Sequence, residues 1–87
     1  MPVEIEFSPH SLLKLEILKS HGLDISKEFV ENSIRVPDKI VTGYRGRLIA
    51  QKAINSDHVL RIVYEKSDKK LFVVTIYPGR RSRYEED

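Results

Sequence analysis

The spacing of apolar residues in this chain changes at Val36-Pro37, and that change narrows the folds open to it. Before the proline, apolar residues recur at three- and four-residue intervals: Leu12, Leu13, Leu15, Ile17 and Leu18, then Phe29, Val30 and Ile34. After it they alternate through KIVTGY (39–44), RLIAQKAI (47–54), HVLRIVYE (58–65) and KLFVVTIY (70–77). Two helices followed by four strands are predicted. A further strand precedes them, because VEIEF (3–7) sets Val3, Ile5 and Phe7 against Glu4 and Glu6.

Punctuation residues agree with this division. Ser8-Pro9 reads as an N-cap followed by the first helical position, where proline gives up an amide hydrogen that the first turn has no use for. Gly22 closes the first helix, Ser26 caps the second, and Val36-Pro37 ends it. The order is β-α-α-β-β-β-β, an α+β class in which two N-terminal helices pack on one face of a small antiparallel sheet. Short turns at RG, NSD and KSDK favour a meander.

Strand alternation assigns faces. Leu60, Ile62 and Tyr64, with Phe72, Val74 and Ile76, are predicted under the helices, which places Arg61, Thr75 and Tyr77 on the opposite, open face. The turn between the second and third strands of the meander sets the register there. A two-residue turn at Ser56-Asp57 puts Lys52 opposite Arg61, a like-charge pair that would call for an anion; a three-residue loop puts Lys52 opposite Leu60 and removes that argument.

With 87 residues there is room for one domain, 1–87, ending in a basic tail at 78–87. The composition, 40% apolar and 32% charged, is that of a globular chain and not of a disordered one. No apolar run approaches the ~20 residues needed to cross a bilayer, and the N-terminus has no signal-peptide core, so a cytoplasmic protein with no membrane partner is expected. There is no cysteine, and His10, His21 and His58 lack zinc-site spacing, so no metal or cofactor is expected to organise the fold.

Charge is uneven. The net charge is only +2, yet between Tyr44 and Arg83 ten lysines and arginines face three acids. A basic sheet is implied, on which a polyanionic partner could sit. Arginine forks suit a phosphate on which charge is building, and Arg61 on the open face with Arg80, Arg81 and Arg83 after the last strand could hold one from two sides. Tyr84 and Tyr77 are candidates to carry protons or to stack on a base, and Lys52 to hold the backbone. The plainer readings are a solvated terminus for RRSR, a snorkelling Arg61, and packing or surface roles for His10 and His58.

The run FSPHSLLKLEILKSHGLDISKEFVENSIRVPDKI, with RLIAQK, LRIVYE and VVTIYPGRR, resembles a family of small RelE/ParE-like proteins, and RRSRYEE resembles the end of BrnT-type toxins of the same superfamily. The resemblance covers nearly the whole chain. It implies two helices on a small antiparallel sheet, metal-independent RNA cleavage, ribosome-bound messenger RNA among the substrates, and a small antitoxin protein as partner. Position by position it implies Arg61 as the sheet arginine, Arg80 or Arg81 as the arginine after the last strand, Tyr84 as the C-terminal tyrosine, and Lys52 as a sheet lysine. A toxin-like endoribonuclease using Arg61, Arg80, Arg81 and Tyr84, with Lys52, Arg83 and Tyr77 on the nucleic acid, is the expectation. Its rivals are a non-catalytic RNA-binding or protein-interaction module on the same face and a regulatory partner of another protein.

Overall fold

Ser8 turns the chain from strand into helix. Its Oγ accepts the amide of Ser11 at 3.0 Å, with Pro9 in the first turn, and donates to the Val74 carbonyl at 2.9 Å, which fastens the helix start to the last strand. The computed structural model describes residues 4–85, and their elements are β1 (Glu4–Phe7), α1 (Pro9–Ser20), α2 (Lys27–Arg35), β2 (Lys39–Thr42), β3 (Leu48–Ala53), β4 (His58–Lys66), β5 (Lys70–Arg80) and α3 (Arg81–Tyr84). A 3-10 turn at Tyr44–Gly46 joins β2 to β3. Val3, Glu86 and Asp87 lie outside the described residues. Gly22 ends the first helical segment at φ 90°, a left-handed value that suits glycine.

The five strands form one sheet in the order β1-β5-β4-β3-β2. The chain is α+β, but the sheet is mixed where an antiparallel one was expected: β1 pairs with β5 in parallel, Ile5 opposite Leu71 and Phe7 opposite Val73. The cause is chain direction. If each of the short connections reverses the chain, six reversals separate β1 from β5, an even number, and the two strands run the same way.

One face carries the core. Leu15 and Leu18 of α1, with Ile25, Val30 and Ile34 from α2 and its approach, pack on Ala50, Leu60, Ile62, Tyr64, Val73 and Ile76. Each fully buried aliphatic side chain contributes about 1.5–3 kcal/mol. Of the apolar residues on α1, only Leu15 and Leu18 are buried; Leu12, Leu13 and Ile17 remain exposed.

Two expectations for β5 are corrected. The register slips between Val63 and Tyr64, with Val63 opposite Thr75 and Tyr64 opposite Val73, so Val74 is an extra residue and the alternation inverts there. Leu71 and Val73, not Phe72 and Val74, therefore join Ile76 on the core side. The strand also runs through Pro78 and Gly79 to Arg80 instead of stopping at Tyr77. Pairing with β1 reaches only Val73, so β5 is an edge strand beyond it, where proline is tolerated.

Candidate functional site

The β3–β4 connection decides what stands beside Arg61. Asn55 Oδ1 accepts the amides of Asp57 and His58, each at 2.8 Å, and Ile54 N donates to His58 O at 2.9 Å, which closes a three-residue loop. That register sets Lys52 against Leu60 and Gln51 against Arg61. The like-charge pair of the two-residue alternative does not form.

A polar row results on the face away from the core. Lys39 of β2 pairs with Gln51 of β3, Gln51 with Arg61 of β4, and Arg61 with Tyr77 of β5. Four strands thus present one polar side chain each in a single line, roughly 14 Å long at the usual strand spacing. Its neighbours are less polar: Val41, Ile49, Val63 and Thr75 on one side, Ala53, Val59 and Gly79 on the other.

Arg61 is the centre of the row. Its side chain is held on three sides and the residue is 8% exposed. Nε donates to the Tyr77 hydroxyl at 3.0 Å and Nη1 donates to Gln51 Oε1 at 2.6 Å. The guanidinium carbon lies 4.2 Å from the centroid of the Tyr84 ring and 5.9 Å from that of Tyr77. None of the ion pairs among the described residues includes Arg61. A buried charge normally demands a counter-charge; here amide and hydroxyl dipoles and two ring faces hold it and leave the positive charge uncancelled. Because the Tyr77 oxygen accepts from Nε, the Tyr77 proton is left to donate elsewhere.

The C-terminal turn folds over this row. Gln51 Nε2 and Lys39 Nζ both donate to the Tyr84 carbonyl, each at 3.1 Å. The Tyr84 ring rests on Gly79, where any Cβ would collide with its Cδ2 and Cε2 carbons. Val59, opposite Gly79, is fully buried although it lies outside the core cluster. The face expected to be open is partly roofed.

The remaining candidates separate from Arg61. Arg81 anchors the turn: its amide donates to Asp57 O at 2.8 Å, Nη1 to Asn55 O at 3.3 Å, and Nε pairs with Glu85 at 2.7 Å. Arg80 is exposed and stands opposite His58, on the strand alternation that faces away from Arg61 and Tyr77. Lys52 is on the core side of β3, bonded to Val36 O at 3.0 Å and paired with Asp38 at 3.4 Å. Asp38 in turn accepts the Ala53 amide, and that bond, with Lys52, holds its carboxyl below the ordinary value. Arg83 is exposed, 5.5 Å from the Tyr84 ring centroid. The expected convergence of Arg61, Arg80 and Arg81 on one point is therefore not what the structure presents; Arg61, Tyr77 and Tyr84 come together, with Arg83 beside them.

Two members of the row, Lys39 and Gln51, and the supporting Gly79 escaped sequence reasoning. Gln51 was within reach through the three-residue loop, which places the one amide side chain of RLIAQKAI opposite Arg61. An open depression of ≈ 540 Å³ lies beside the turn, lined by Ser56, Arg81, Ser82 and Glu85. No family model, curated protein or solved structure matches the chain.

Proposed function

We propose that this protein is a toxin-like endoribonuclease of RelE/ParE-like kind that cleaves RNA in the cytoplasm without a metal and is restrained by a small partner protein. The observation that supports the reading is Arg61, a guanidinium with no carboxylate partner among the described residues, set between two tyrosines on the face turned away from the core. In RNA cleavage the 2′-oxygen attacks phosphorus, the bond to the 5′-oxygen breaks, and charge builds on the non-bridging oxygens. Arg61 meets that charge. Tyr77, polarised by Nε, is the hydroxyl placed to move a proton at that phosphate; Tyr84 covers the guanidinium in the free protein, and exposed Arg83 holds a flanking phosphate.

A non-catalytic RNA-binding module is the second reading, favoured by the Tyr84 roof over Arg61. Incubation of single-stranded RNA with the protein in chelator separates the two. The nuclease yields fragments ending in a 2′,3′-cyclic phosphate, and Arg61→Gln lowers their rate about 100- to 1,000-fold with the circular dichroism spectrum unchanged. Salt-sensitive binding with no cut product at any RNA length decides for the module.

A further inference from the structure

The Tyr84 carbonyl sits in an unusual set of donors for a main-chain oxygen. Lys39 Nζ and Gln51 Nε2 reach it from directly opposed positions on neighbouring strands, both at 3.1 Å. Gln51 cannot turn its amide away, because Oε1 accepts from Arg61 Nη1 at 2.6 Å and the residue is 2% exposed. An ammonium and a fixed amide N–H aimed at one oxygen, with a guanidinium alongside, suit an anionic oxygen better than a neutral carbonyl. The carbonyl at the end of a single helical turn could be satisfied by the amide or by water alone.

The hold of the turn is slight. Besides those two bonds, α3 is fixed by Arg81 to the β3–β4 loop and by the Tyr84 ring, which lies on Gly79 and stacks on the Arg61 guanidinium at 4.2 Å. One short turn with so few buried contacts belongs to the part of a protein that opens first.

We propose that the position filled by the Tyr84 carbonyl is a phosphate-oxygen site for the RNA backbone, with Lys39 and Gln51 as its donors, and that the C-terminal turn occupies this site until RNA displaces it. The proposal rests on the RNA reading above. It makes Lys39 a nucleic-acid ligand and gives Gly79 a role: the missing Cβ is what lets the chain cover its own site. RNA then binds by competing with an internal mimic, and its apparent affinity is lowered by the fraction of molecules that are closed.

A 2′-O-methyl hexanucleotide, which lacks the attacking hydroxyl, tests this by fluorescence anisotropy and by NMR of the Tyr84 ring. On saturation of the wild-type protein the ring resonances move toward those of a free tyrosine. Gly79→Ala, with its fold checked by circular dichroism, binds about 3- to 10-fold tighter because the roof no longer seats. Lys39→Met binds more weakly, and its affinity depends on salt with a slope smaller by about one. Saturation that leaves Tyr84 in place overturns the proposal even if Gly79→Ala fails to fold. Oligonucleotide bound and RNA cut by all three proteins alike overturns it while leaving the RNA reading intact; no binding or cleavage by any of them removes both. Inorganic phosphate that releases Tyr84 and competes as strongly as the oligonucleotide assigns the position to free phosphate and overturns the RNA assignment.

Discussion

The two faces of the sheet arise from the same strands but are closed by different means. On one, Leu60, Ile62, Val73 and Ile76 meet two helices, and stability comes from apolar area removed from water. On the other, a line from Lys39 to Tyr77 is covered by a single turn that is held mostly by hydrogen bonds and one stacked ring. The difference shows how one alternating pattern divides labour: apolar side chains lie under the helices, and hydrogen-bonding ones lie under the turn.

Substitutions on each face sharpen that contrast, the largest first. Ile62→Ala, at a fully buried site under the helices, lowers the urea-measured unfolding free energy by about 2–5 kcal/mol. Gln51→Leu strips Arg61 Nη1 of its acceptor and the Tyr84 carbonyl of one donor, and costs about 1–3 kcal/mol, mostly from the unsatisfied polar groups and not from lost volume. Equal losses for the two would break the distinction. Ile49→Ala, half-buried beside the polar row, costs about 1 kcal/mol in the same urea titration.

The smallest effect is at Asp38. Its folded pKa is lowered, chiefly by the Ala53 amide, so its contribution is present above the unfolded value and is lost as pH falls through the folded one. The side chain is 45% exposed, which limits the effect to about a few tenths of a kcal/mol. Stability curves for the wild type and Asp38→Asn therefore differ slightly at pH 7 and converge below about pH 4.

The helices, their serine caps and the placement of Arg61 opposite Leu60 and Ile62 were legible because spacing and capping are local properties. What was not legible depended on pairing. The extra residue at Val74 inverts one end of β5, and KLFVVTIY is apolar on both alternations for most of its length, so nothing within it marks where the inversion falls. The choice between Lys52 and Gln51 as neighbour of Arg61 hung on one residue of loop length. Docking of Tyr84 was hidden in a run of arginines, and its trace, a glycine five residues earlier, reads in sequence as a strand terminator.

The parallel seam between β1 and β5 governs when the molecule can be completed. Ser8 and Val74, which hydrogen-bond across that seam, are separated by 66 positions, so during synthesis β1 leaves the ribosome with no sheet neighbour and waits until β5 has been made. Closing a loop of that length carries an entropic penalty that contacts across the seam must offset. Arg61 acquires its tyrosine neighbours only when that same final strand arrives, so a nascent chain caught earlier has the arginine but not its surroundings.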